Sequence, residues 1–200
     1  AVVGARTASA TGTKSVQKIV QELGIIFVIV SGLARGIDTS AHLSSLKNGG
    51  ASIAVIGCGL DVLLSKENKQ LQEYMVKKSP RIKVSSTGEA PLKFHFPERN
   101  RIIAGLSQGV IVVEAKLRSG SLITCERALE EGRDVFAIPG NILDGKSDGC
   151  HHLIKEGAKC VTSGLDILNI KYKQVFFYKE NRDDTDVPLE DVPSNKDKPK

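Results

Sequence analysis

The residues best placed to do chemistry are arginines. Arg6 stands in Gly4-Ala5-Arg6 and Arg35 in Ser31-Gly32-Leu33-Ala34-Arg35-Gly36. Arg99 and Arg101 flank Asn100, and Arg118 precedes Ser119-Gly120-Ser121. A guanidinium is planar, permanently charged and forked, a shape that suits phosphate oxygens. Glycine lets backbone approach a ligand closely, and the free amides of a helix N-terminus favour anions. Arg35 can therefore meet an anion at the start of the helix that follows Gly36, or pair with Asp38. Lys93-Phe94-His95-Phe96 interleaves a cation with aromatic rings. Stacking rings with nearby backbone-neutralising charge are what a single-stranded nucleic acid needs. Phe94 reads as packing, whereas Phe96, beside Pro97 in a loop, reads as a ring available to a ligand.

Catalysis needs a nucleophile with a base, or paired carboxylates. Ser119 and Ser121 have no histidine in a recognisable order. Asp38 and His42 are four apart on one predicted helix, which suits an acid–base pair or a local hydrogen bond. Glu114 could act as a base or organise the arginines by salt bridges. His151-His152 could ligate a metal, but no carboxylate or cysteine partner stands at helical spacing, so a surface role reads better. Cys58, Cys125, Cys150 and Cys160 form no CxxC pair, which points to free thiols in a reduced, cytoplasmic protein. The first glycine turn, Gly4-Ala5-Arg6-Thr7-Ala8-Ser9, is not GxGxxG, and no Walker A sequence occurs. Dinucleotide redox and P-loop hydrolysis are thus disfavoured. No metal, cofactor or catalytic residue is assigned.

The elements that must position these residues alternate between strand and helix. Hydrophobic content is 40% but aromatic content only 4%, so the core must be aliphatic. Ile25–Val30, Ser52–Ile56, Val110–Val113 and Asp134–Ile138 read as buried strands. Val16, Ile19, Val20 and Leu23 recur at helical spacing over 13–23. Further helices are predicted over 37–47, 66–78, 99–106, 121–131 and 150–156, with 86–98 irregular. Repeated strand–turn–helix units imply a doubly wound, mostly parallel α/β sheet with right-handed crossovers. Ligands bind such sheets outside the carboxyl ends of the strands, so the glycine turns converge on one rim. The opening residues carry no signal-peptide pattern and read as a strand tip, so the chain is expected to be trimmed upstream. No apolar run reaches the ~20 residues of a membrane span. Residues 179–200 hold five basic and seven acidic residues and three prolines, which reads as a disordered linker. The remainder carries +7, a balance compatible with a polyanion partner.

Taken together, the segments resemble the DprA/Smf family of bacterial DNA-processing proteins. The stretches that carry the resemblance are SGLARGIDTSAH (31–42), GGASIAVIGCGLD (49–61), FPERNRIIAGLS (96–107), VVEAKLRSGSLIT (112–124), GRDVFAIPG (132–140) and GCHHLIKEGA (149–158). They fall in the family's order over about residues 1–168. The resemblance implies an extended Rossmann-like core over 1–170, followed by a charged tail over 171–200. It implies binding and protection of single-stranded DNA, loading of the RecA recombinase onto it in natural transformation, and a homodimer with candidate contacts over 150–168. Matched motif by motif, the DNA pocket would comprise Arg6, Gly32, Arg35, Gly36, Lys93, Phe96, Arg99, Arg101, Ser119, Gly120 and Ser121. Arginine and lysine would meet phosphates, glycine and serine amides would do the same, and Phe96 would face a base. The chain departs from the family at Ser85-Ser86-Thr87-Gly88, where a Ser-Glu-Tyr-Pro type sequence is usual, and at Leu64-Ser65, where Tyr-Pro is usual. The alternative is a nucleotide-processing enzyme of phosphoribohydrolase type, but 117–124 lacks that group's PGGxGTxxE loop.

Overall fold

The aliphatic runs form short parallel strands whose described residues are mostly buried, as expected where both faces of a sheet are covered. The structure, a computed structural model, describes residues 1–24, 26–59, 62–63, 65–78, 81–83 and 95–171. The order is β1 (Val2–Gly4), α1 (Ala10–Leu23), β2 (Ile29–Ser31), α2 (Ile37–Lys47) and β3 (Ser52–Ile56). A 3-10 turn at Lys66–Asn68 leads into α3 (Lys69–Lys78) and β4 (Arg81–Lys83). Then come α4 (His95–Gly105), β5 (Gly109–Val113), α5 (Gly120–Glu130), β6 (Asp134–Ala137), α6 (Asp148–Lys155) and β7 (Lys159–Cys160). Residues 164–171 are helical. Residues 1–168 make up one unit. Lys93, the 85–88 loop and all of the charged tail beyond 171 lie outside the described residues.

All strand pairs are parallel, in a ladder β1-β5-β6-β7 and a ladder β2-β3-β4. The two meet where the Ser31 hydroxyl donates to the Val2 carbonyl at 2.7 Å. Across the molecule the strands therefore run 4-3-2-1-5-6-7. The chain winds outward from β1 to β4, returns beside β1 as β5, and winds the other way. This is the doubly wound Rossmann-like arrangement, with its reversal between β1 and β5. Gly4 is required at the join, because a Cβ there would lie 1.9 Å from the Val113 carbonyl oxygen.

Val16, Ile19, Val20 and Leu23 are the buried face of α1, as their spacing predicts. One aliphatic cluster gathers Val3, Val30, Val55, Val112 and Val135 with residues of α4 and α5, and a second gathers Leu33, Ile56, Leu71 and Met75. Two elements differ from the sequence expectation. Of the described residues in the Ile25–Val30 run, only Ile29 and Val30 pair as strand, continuing into Ser31. The Leu23 carbonyl instead takes the amides of Ile26 and Phe27, which extends the end of α1, and Ile26 and Val28 are exposed. Helix α4 starts at His95 rather than Arg99. Pro97 is tolerated because it sits in the first turn, where its missing N–H has no intrahelical acceptor. Phe96 is thereby carried on a helix rather than a loop.

Candidate functional site

The reversal between β1 and β5 splays the loops that leave their carboxyl ends, and a crevice opens there. The two non-glycine residues with positive φ among the described residues, Leu33 (φ 55°) and Glu114 (φ 50°), both stand just beyond strand ends on this rim. Such conformations cost about 1–3 kcal/mol each and persist only where surrounding contacts enforce them.

Arg99 is the pillar of the crevice. It is 6% exposed, and its Nη1 donates to the carbonyls of Gly32 at 2.6 Å and Val55 at 2.7 Å, while Nε reaches Asn100 Oδ1 at 3.1 Å. A Cβ on residue 32 would lie 2.1 Å from that Nη1, so glycine is needed to admit the guanidinium. Asp38, also buried, accepts from the amides of Gly32 at 3.1 Å and Ala34 at 3.3 Å. Burial pushes the Asp38 carboxyl up from its ordinary range, opposed by Arg99 and the two amides. Burial likewise lowers the Arg99 guanidinium, with Asp38 working against it. The Ser31–Gly36 turn is therefore filled from inside the protein: its Gly32 amide serves Asp38, and its Gly32 carbonyl serves Arg99. The next segment braces it further, since Asn68 Nδ2 donates to the Leu33 carbonyl at 3.0 Å.

In front of this pillar lies a cavity of about 210 Å³ lined by Gly4, Arg6, Asp38, Phe96, Arg99, Asn100, Ser119, Gly120 and Ser121, among others. Two cations lie near the Phe96 ring, with Arg6 Cζ 5.2 Å and Arg99 Cζ 5.8 Å from its centroid. Arg6 is exposed, so its donors face the opening. Opposite stands the N-terminus of α5. Ser119 caps it by accepting from the Ser121 amide at 3.3 Å, and the two hydroxyls lie 2.5 Å apart. Asn100 Nδ2 holds the Gly120 carbonyl at 3.2 Å. A Cβ on Gly120 would meet nothing within 4 Å, so open space lies before this helix start. A positive helix end, an exposed guanidinium and a half-buried ring thus converge on one cavity, a combination suited to a phosphate with an attached planar group.

The family model of DNA recombination-mediator protein A matches residues 1–171. The chain belongs to this family. The DNA processing protein DprA of Streptococcus pneumoniae is 67% identical over 168 residues, which cover 84% of this chain and 60% of that protein. DprA of Bacillus subtilis is 44% identical over 184 residues, covering 88% of this chain and 61% of that one. The chain thus spans about three fifths of the length of these relatives. Among solved structures, the S. pneumoniae DprA matches with a TM-score of 0.81 at 66% identity, over 84% of this chain and 59% of that one. A DprA from Helicobacter pylori, solved to describe its single-stranded DNA binding mode, matches with a TM-score of 0.75 at 27% identity, over 86% and 79%.

Within this DprA-family chain the sequence-predicted residues divide into three groups. Arg6, Phe96, Ser119, Gly120 and Ser121 come together around the cavity, with Arg99 behind them. Gly32, Arg35 and Gly36 do not line it. Gly36, at φ 77°, has Ala5 backbone where a Cβ would stand, so it lets the turn pack on the β1 loop. Arg35 pairs with Glu67 at 2.5 Å, not with Asp38, and lines a larger polar groove of about 640 Å³ between α1 and α2. Arg101 is exposed and outside both cavities, and Lys93 lies outside the described residues.

Glu114 and His42 do something other than their local sequence suggested, whereas His151 makes a structural contact in keeping with its sequence reading. Glu114 neither serves as a free base nor pairs with arginine; its carboxylate receives the Ser9 amide at 2.8 Å and the Ser9 hydroxyl, sealing the start of α1. His42 does not bond Asp38; its Nδ1 lies 2.6 Å from Ser52 Oγ. Ser52 in turn donates to the Ile29 carbonyl at 2.9 Å, so Nδ1 carries the imidazole proton and Nε2 is a buried acceptor with no partner among the described residues. His151 Nε2 sits 3.1 Å from the Gly140 carbonyl oxygen, a loop contact. Sequence reasoning missed Asn100, whose amide joins Arg99 to Gly120. Its signal was present: a polar residue on the inward face of a helix, between two arginines.

Proposed function

We propose that this chain is a non-enzymatic single-stranded DNA-binding unit. The observation that carries the reading is the cavity at the β1–β5 reversal, where Arg6, the Phe96 ring and the open α5 N-terminus converge. Arg6 would neutralise a phosphate, the Gly120 region would take a second phosphate oxygen, and Phe96 would offer its free edge or face to a base. The single-stranded DNA binding described for the H. pylori relative supports the same ligand. The rim carboxylates speak against an enzyme that cleaves nucleotides. Asp38 and Glu114 each accept hydrogen bonds from backbone amides and brace a loop, so neither is poised to take a proton from water. In the whole protein the family reading extends to protecting incoming DNA, loading RecA onto it in the cytoplasm, and dimerising through residues around 150–168.

Fluorescence anisotropy with labelled single- and double-stranded oligonucleotides across a salt series tests the reading. Single strands should bind more tightly, with a log–log salt slope of about −0.7 per phosphate neutralised. Arg6→Glu should weaken binding to all sequences alike. Equal affinity for duplex, or wild-type affinity in an Arg6→Glu/Ser119→Ala/Ser121→Ala variant, would overturn the site. Release of free base from a nucleotide would overturn the non-enzymatic assignment.

A further inference from the structure

The cations of the rim are not equivalent. Arg99 is buried against carbonyls, and Arg35 is already paired with Glu67. Lys116, Arg118 and Lys146 are exposed, and none forms an ion pair among the described residues. They come from different parts of the chain, the β5–α5 loop and the loop before α6, yet line one cavity of about 280 Å³. That cavity shares Arg6 and Ser119 with the reversal pocket, so the two lie side by side on the rim. The one carboxylate lining it, Glu114, is engaged at the start of α1 by Ser9. Asp144 and Asp148 stand equally near Lys146 along the chain; Asp144 accepts the Lys146 backbone amide, and neither lines this cavity. Three exposed like charges with no acidic partner among the described residues favour a polyanion that continues from the neighbouring pocket.

We propose that Lys116, Arg118 and Lys146 form a second phosphate site, which takes the backbone of a single strand as it leaves the Arg6–Phe96 pocket. The proposal rests on the single-strand reading above and gives the strand a direction across the rim. The α1–α2 groove is the competing exit, and its walls favour it less. They are mostly serine, threonine, asparagine and glutamine; their Arg35 is bound to Glu67, which leaves Lys47 as the one cation they add to the shared Arg6. The occupied site would span more nucleotides than the reversal pocket holds, so its contribution should appear only with longer strands.

The test uses oligothymidylates of about 4 and about 12 nucleotides, within the range that single-strand grooves accommodate. Wild-type chain is compared with Lys116→Ala/Arg118→Ala/Lys146→Ala and with Lys14→Ala/Lys69→Ala/Lys155→Ala, which removes equal charge away from both exits. All six residues are exposed, and far-UV circular dichroism and thermal melts confirm that each variant folds. The rim variant should bind the longer strand at least tenfold more weakly and flatten its salt slope by about 2, the loss of three single-strand phosphate contacts. Its affinity for the shorter strand should stay within about threefold of wild type. Equal losses in both variants would mean a general charge effect and overturn the proposal. An unchanged slope in the rim variant would overturn it while leaving the single-strand reading intact. A wild-type chain that binds neither oligonucleotide would overturn both.

Discussion

Gly32→Ala should destabilise the protein far more than a glycine-to-alanine change in a turn normally does. The added methyl would stand 2.1 Å from Arg99 Nη1, a distance that forces the guanidinium out of its seat. Two charge-assisted hydrogen bonds depend on that seat, to Gly32 at 2.6 Å and Val55 at 2.7 Å. Each bond to a charged group contributes about 1.5–3 kcal/mol, and a buried charge left without partners costs further. The side chain can recover part of this by rotating toward the cavity. Alanine also returns about 0.5–1 kcal/mol by restricting the unfolded chain. The net loss should be about 2–4 kcal/mol. Urea unfolding should show it as a fall in midpoint of about 1–2 M at an unchanged m-value, taking m as about 2 kcal/mol/M. A double-mutant cycle assigns the cause. In an Arg99→Met background the same Gly32→Ala change should cost less than about 1 kcal/mol, because the clashing nitrogen is gone. Gly120→Ala is the comparison, since nothing lies within 4 Å of its Cβ position, and it should be neutral or slightly stabilising. A Gly32→Ala protein within 0.5 kcal/mol of wild type, or equal costs in both backgrounds, would refute the pillar role of Arg99.

Burial holds the His42 imidazole down at about 3. A group whose folded pKa is lowered binds its proton more readily when unfolded, so stability should fall as pH drops from about 6.5 to about 3, by up to about 5 kcal/mol in total. NMR should show a neutral His42 with the proton on Nδ1 at pH 5, and an imidazolium there would contradict the geometry. Glu114→Gln keeps the shape of the α1 seal but removes its charge, and should cost about 1–2 kcal/mol in thermal or urea unfolding. Phe96→Leu should weaken single-strand binding by about 1–3 kcal/mol without changing the salt slope, because stacking is lost while phosphate contacts remain. Gly36→Ala, forced against Ala5 at a φ of 77°, should lower the melting temperature by several degrees.

The order of strands and helices was legible in the residues themselves. Valine and isoleucine runs bounded by glycine turns marked the parallel strands, and the 16-19-20-23 spacing marked the buried face of α1. Both signals are local, because burial on two faces or one stripe is written into residue type and period. The rim was legible for the same reason: alternating units force the glycine turns to one edge of the sheet. What the sequence could not decide was which polar group faces a ligand and which is consumed inside. Arg35 and Arg99 look alike as letters, but one is paired on the surface with Glu67 and the other is buried under Gly32 and Val55. Asp38 and Glu114 look like candidate bases, yet both satisfy backbone amides of loops they brace. The gathering of Lys116, Arg118 and Lys146 into one cavity is equally invisible along the chain. These assignments depend on partners up to 105 residues away, as in the Ser9–Glu114 contact, and only the folded sheet determines who those partners are.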